Sequence, residues 1–331
     1  MKLNTKGKDS PVTSPTIKAM PGTSKAVPFY NVGGRLIAHM NRHSVFYMQL
    51  PFVVLFSLFI IIPVIIAIAL SFTDFNSIQT PHFVGLQNYV NILTNDNVFT
   101  ENAIPNTIVY SVIVGVFGYI LSFFLAWSLA QIPKGPRTVM AIILYLPSMT
   151  SGIMLSTVWQ VFFAGDKVGY LNALLLRLDL IQSPIVWLSD SKFLMVIMLV
   201  VSLWSSMGIG FLSMLAGILN VNRELYEAAY IDGIRNRLHE ILYITIPAIK
   251  PHMMFGAIMA IVNAFQNGNI GVQLSGANPT PGYAGQLLVT HAEERAFIRY
   301  EMGYSAALSV ILLIIVWCVS KISKKLFAEK E

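Results

Sequence analysis

The chain has 331 residues, of which 55% are hydrophobic and 11% charged, against about 25% charged in an ordinary soluble domain. With a mean hydropathy of +0.65 it cannot cover itself with polar surface, so lipid must be its solvent for much of its length. The formal charge of +6 is not gathered on one basic tract, which argues against nucleic-acid binding, and the single cysteine, Cys318, excludes a disulfide framework and a thiolate metal site.

Residues 1–48 are polar, rich in Lys, Ser, Thr, Pro and Gly, and without an apolar period, which predicts a flexible leader. No short apolar segment with a cleavage site opens the sequence, so insertion is expected to be directed by the first apolar run. Six runs follow, at 49–72, 107–132, 139–163, 193–219, 252–273 and 303–320. Each is long enough to cross a ~30 Å hydrocarbon core as a helix, the form that satisfies its own backbone there. Pro63 and Pro147 fall inside runs, where a kink is tolerated. No Asp, Glu, Lys or Arg lies in any run. The expected fold is an all-α membrane protein: a bundle of about six transmembrane helices over 49–320, followed by a tail at 321–331.

Orientation follows from the basic residues. Of the 22 Lys and Arg, 17 lie in 1–48, 133–138, 220–251 and 321–331, leaving 5 for the three alternate connections. That asymmetry predicts a multi-pass protein of the cytoplasmic membrane with both termini in the cytoplasm. The outer connections 73–106 and 274–302 are too short to be independent domains.

The inner connection 220–251 reads NVNRELYEAAYIDGIRNRLHEILYITIPAIKP. Asn222 can cap a short helix, Glu224 suits its first turn and Gly233 can end it. A second helix is expected to follow, with Ile234, Leu238, Ile241 and Leu242 on one apolar face, until Pro247 and Pro251 break the pattern. Two short helices joined at a glycine form a knob that another protein could grip.

Glu227-Ala228-Ala229, then Asp232-Gly233, then Ile244-Thr245-Ile246-Pro247 resembles the EAA loop of ATP-binding-cassette import permeases. Between Gly233 and Pro247 the chain has one residue more than the usual spacing, and one residue turns a helix by about 100°. Further resemblances to the carbohydrate branch of that family run in order along the chain. They are Pro63 with Ser71-Phe72-Thr73-Asp74, Gly85-Leu86-Gln87-Asn88-Tyr89, Asn106-Thr107, Leu146-Pro147, Gly169 with Leu171-Asn172, and Met302-Gly303-Tyr304-Ser305-Ala306.

The resemblance implies a permease subunit that moves a sugar or similar polar solute by alternating access. The implied partners are a second permease, two ATPase subunits that carry the ATP and Mg, and an extracytoplasmic solute-binding protein. It implies that Glu227 pairs with a basic residue of the ATPase, that Ala228 and Ala229 allow close approach, and that Gly233 supplies the bend. Asp232, Ile244 and Pro247 complete the coupling set. Arg235, Arg237 and Lys250 could contact the ATPase or anchor the loop at anionic headgroups.

The fifth run carries five amides, Asn263, Gln266, Asn267, Asn269 and Gln273. An amide in lipid is costly unless paired, so these either bind helix to helix or line a wet path for the solute. Ser202, Ser205, Ser206 and Ser213 can satisfy themselves on their own helix. His291 with Glu293 and Glu294 reads as a solvated loop cluster, with no metal expected, and Trp127, Trp159, Trp187 and Trp204 read as interfacial anchors.

A secondary transporter driven by an ion gradient is the rival reading. Proton coupling generally places acids inside the membrane, and the runs hold none, although sodium coupling can use carbonyls and hydroxyls. No HExxH, GxSxG or GxxxxGK[ST] pattern occurs, so neither an embedded enzyme nor the ATPase itself is expected in this chain.

Overall fold

The computed structural model describes residues 44–150, 152–234, 236–266 and 268–327, with side chains at all of these except 44–47, 266, 326 and 327. Most of the expected leader, together with Arg235, Asn267 and the Gln266 side chain, lies outside the described residues. Among those described, the regular elements are all helices, and the β structure is one isolated bridge between Thr73 and Phe83.

The chain divides into two compact units, one ending at Ile60 and one running Ile61–Glu331. In the first, the helix Ser44–Phe56 stacks Phe52 on Phe56 at 5.7 Å. The helical stretch Met48–Leu70 is the most apolar in the protein, with a mean hydropathy of 3.2.

In the second unit, Phe99–Ala130, Ser191–Leu219 and Met302–Lys325 are each long and apolar enough to cross a membrane. The run at 139–163 is bent rather than straight, and a second bend falls at Ile249, just ahead of the run at 252–273. Lys134–Met149 meets Gly152–Phe162 at 97°, and Arg237–Ala248 meets Lys250–Phe265 at 86°. Counting each bent pair as one span gives six, at the places where the apolar runs fall. Proline explains the second bend. Pro251 has no amide to offer the Pro247 carbonyl, so the helix cannot continue through Ile249.

Proline also explains three of the five π turns among the described residues. Ser57–Ile61, Phe99–Ala103 and Ile241–Thr245 are each followed two residues later by a proline: Pro63, Pro105 and Pro247. A proline ring clashes with the carbonyl four residues back, and a widened turn just ahead of it relieves that clash.

Three apolar clusters hold the unit together. One joins Tyr110, Leu194, Met198 and Leu274, a second joins Ala126, Phe211, Met214 and Ile249, and a third joins Ile92, Phe99, Leu288 and Leu308. Trp159 stacks on Phe163 at 5.6 Å and meets Trp204 edge-on at 5.4 Å. Trp187 instead donates its Nε1 hydrogen to Asn172 at 2.9 Å.

The residues that carry the resemblance are joints. The Asn88 amide donates to the carbonyls of Ser71 and Thr73, both at 2.9 Å. Asn106 donates to the Tyr283 carbonyl at 2.9 Å, and Thr107 Oγ1 accepts the Leu288 amide at 2.8 Å. Gly303 opens the last helix against the Thr73 carbonyl, where any Cβ would collide with it.

Candidate functional site

The segment 220–251 starts with a cap. Asn222 is extended (φ −61°, ψ 127°) and its Oδ1 accepts the Glu224 amide at 3.1 Å, which fixes the start of the helix Arg223–Ile231. The helix ends in a Schellman pair. The Gly233 amide donates to the Tyr230 carbonyl at 3.2 Å and the Ile234 amide to the Ala229 carbonyl at 2.9 Å. Gly233 sits at φ +94°, a conformation that costs any residue with a Cβ.

On this helix Glu227 and Ala228 are exposed, as are Asp232, Gly233 and Pro247 beyond it, whereas Ile244 is half-buried. Ala229 is buried, so its small size serves packing within the chain. Tyr226 and Thr245 share a hydrogen bond of 3.2 Å that ties the helix to the π turn. A cavity of about 720 Å³ flanks the helix, with Arg137, Arg223, Glu227, Arg237 and Glu240 in its wall. The same segment exposes Leu225, Tyr230, Ile231, Leu238 and Leu242.

The second helix differs from expectation. Asn236 caps it, Arg237–Glu240 is α-helical, and Ile241–Thr245 is a π turn. A π turn takes in one extra residue, the number by which the spacing from Gly233 to Pro247 exceeds the usual one. Ile234 lies ahead of this helix, and Leu238 and Leu242 are exposed while Ile234 and Ile241 are half-buried.

The second candidate site is a pair of cavities of about 320 and 290 Å³ whose walls share Ser148, Ser202 and Ser205. Three interruptions meet there: the end of Lys134–Met149, the irregular stretch Ser205–Gly208, and the turn at Gly268 and Asn269. Irregular backbone at membrane depth is tolerated where it is buried in protein or lines a wet cavity.

Asn263 faces the first cavity, and Asn269 and Gln273 face the second. Asn269 donates to Glu293 at 2.9 Å while its buried Oδ1 has no partner. Gln273 Oε1 accepts from Ser156 at 3.2 Å, so this amide both binds helix to helix and lines a cavity. The serines behave as expected, Ser205 donating to the Val201 carbonyl at 3.1 Å and Ser206 to the Leu203 carbonyl at 2.7 Å. Both nevertheless line the first cavity. Ser202 pairs instead with the Tyr110 hydroxyl at 2.7 Å, and Ser213 with His252 Nδ1 at 3.2 Å. Sequence reasoning missed Tyr145, Ser148 and Thr150, which also line the cavities. The available signal was a run of polar side chains around Pro147.

The cluster at His291 is not solvated. His291 is fully buried, Glu294 and Asp96 are nearly so, and His291 Nε2 meets Asp96 Oδ2 at 2.8 Å. The same oxygen accepts from Arg295 at 2.8 Å and from the Tyr304 hydroxyl at 2.7 Å, and Oδ1 accepts the Phe99 amide at 3.0 Å. Glu294 is paired with Arg299 at 2.7 Å and with the Gln286 amide at 3.2 Å. Burial pushes the Asp96 carboxyl up, but the bonds from His291, Tyr304 and the Phe99 amide outweigh it and hold the group well below the usual carboxylate range. Among the described residues no group of His, Cys, Asp and Glu could hold a metal ion.

Residues 30–327 match the family described as "Binding-protein-dependent transport system inner membrane component". The chain is 31% identical over 320 residues to the arabinooligosaccharides transport system permease protein AraP of Bacillus subtilis, covering 96% of this chain and 97% of that one. It is 28% identical to the lactose transport system permease protein LacF of Rhizobium radiobacter, over 65% of this chain and 70% of the relative. A solved bacterial alginate ABC transporter, in complex with an alginate pentasaccharide-bound periplasmic protein, shares the fold. Its TM-score is 0.72 at 22% identity, over 90% of this chain and 100% of that one.

Proposed function

The chain belongs to the inner membrane components of binding-protein-dependent transport systems, and from that premise we propose how its two sites work together. The 220–251 segment is the grip of a separate ATPase, and the paired cavities are this subunit's share of the sugar path. The observation that carries the proposal is one helix. Lys250–Gln266 leaves the Ile249 bend at the end of the gripping segment and brings Asn263 into the cavity wall. At 1.5 Å per residue it carries a push over a distance on the order of 25 Å. Motion of the motor against Glu227 would tilt that helix and swing the spans between inward-open and outward-open states as rigid bodies.

Sugar as the cargo is supported by the arabinooligosaccharide and lactose systems of the relatives and by the hydroxyls and amides of the cavities. The asymmetry of Lys and Arg supports 220–251 and both termini lying in the cytoplasm. ATP and Mg belong to the two ATPase subunits, a second and different permease closes the other half of the path, and a solute-binding protein delivers the cargo from outside.

Glu227→Ala tests the grip. The variant should insert normally, because Glu227 is exposed. ATPase activity that co-purifies with a tag on this chain should fall at least tenfold, about 1.4 kcal/mol of association. Full co-purification with unchanged ATP-driven uptake would sink the assignment.

A further inference from the structure

Resting on the reading of 220–251 as the grip of the ATPase, we propose that the cavity beside Glu227 receives an acidic side chain of the ATPase between Arg137 and Arg223. The 133–138 connection is then a second point of contact with the motor. The helix Arg223–Ile231 turns one face to that cavity. Arg223, Tyr226, Glu227, Tyr230 and Ile231 stand at i, i+3, i+4, i+7 and i+8, the spacing of a single α-helical stripe. Arg137 joins the same wall from the helix Lys134–Met149. Ala130, Ile218, Leu219 and Val221, at or just beyond the ends of two spans, supply its apolar part.

Of the five charged groups in the wall, only Arg237 and Glu240 neutralise each other, at 2.7 Å. The side chains of Arg137, Arg223 and Glu227 have no ionic or hydrogen-bonding partner among the described residues, although Arg223 and Glu227 lie four positions apart on one face. Arg223 is exposed and keeps its water, but Arg137 is half-buried. A guanidinium partly withdrawn from water beside apolar side chains loses solvation that nothing in the chain restores. Its planar fork of donors matches a carboxylate, which it can hold by two bonds at once. Glu227 calls for a base on the same partner. The complementary surface therefore carries an acid beside a base, which fixes the register of the ATPase and disfavours a partner with those charges exchanged. An anionic lipid headgroup suits the arginines less well, because the Glu227 and Glu240 carboxylates in the same wall repel it.

The test uses the complex solubilised from its own membranes through a tag on this chain, with co-purifying ATPase activity as the readout. Arg137→Glu and Arg223→Glu should each lower that activity about tenfold or more. Arg137→Lys keeps the charge without the fork and should lower it about threefold or less. Arg223 is exposed, so its variant still reports on the contact where Arg137→Glu fails to fold. Full co-purification with both glutamate variants, while Glu227→Ala loses the ATPase, overturns the acidic contact and leaves the grip in place. Full co-purification with all three sinks the grip as well. In complexes rebuilt in phosphatidylcholine vesicles with and without phosphatidylglycerol, the Arg137→Glu loss should be the same. A loss seen only with phosphatidylglycerol assigns the arginines to a lipid headgroup and overturns the proposal.

Discussion

Asp96 accepts four hydrogen bonds at one nearly buried carboxylate, and three of them come from residues about 200 positions later in the chain. Asp96→Asn keeps the shape but turns an acceptor into a donor facing other donors, which should cost about 3 kcal/mol of stability. Because the folded Asp96 carboxyl is depressed, its contribution is complete above the unfolded value of about 3.9 and fades as pH falls below it. Melting curves of the purified protein should therefore show the gap between wild type and Asp96→Asn narrowing below about pH 4. A gap that stays constant down to pH 2 would contradict the depressed carboxyl. His291 was read as solvated because its own neighbourhood is polar. Its burial depends on Asp96, and no local pattern announces a partner that distant. Asn222 was legible for the opposite reason: its cap is closed by an amide two residues away.

The 220–251 segment shows the same division at the level of elements. Its first helix could be read in full, since a cap residue and a C′ glycine act within their own turn. Its second helix could not, because the α-helix begins only at Arg237 and gives way to a π turn at Ile241, so a periodicity counted from Ile234 assigns Leu238 and Leu242 to the wrong face. The clue was the single surplus residue before Pro247. Deleting Tyr243, which is 69% exposed, should let Ile241–Thr245 close to an ordinary α turn, with membrane insertion retained and amide exchange slowed over 240–246. Exchange accelerated across the segment would mean that the π turn is required there. At Gly233 a Cβ meets open space, so Gly233→Ala costs only backbone strain, about 1 kcal/mol. Amide exchange of Ile234 should rise about fivefold, and no change would show that the Schellman pair is not what ends the helix.

For the whole molecule, hydropathy alone located six apolar runs, but it could not say whether a run crosses or turns back. The bends of 97° and 86° make that a physical question, since a bent pair can span the bilayer or re-enter on the side it left. Two exposed residues decide it. Ile78 is 85% exposed in the first connection, and Ile231 is 84% exposed at the end of the helix Arg223–Ile231. Between them lie the straight spans Phe99–Ala130 and Ser191–Leu219 and one bent pair. If the pair crosses, three passes separate the two positions and they face opposite sides; if it re-enters, two passes put them on the same side. The positive-inside asymmetry favours the crossing, because a re-entrant pair would leave Lys134 and Arg137 on the same side as the 164–192 connection. With Cys318→Ser as background, Ile78→Cys should react with an impermeant maleimide in intact cells or spheroplasts, and Ile231→Cys only in inverted vesicles. Labelling of both from one side would make the bent pair a re-entrant loop and take the 220–251 segment off the side proposed for the ATPase.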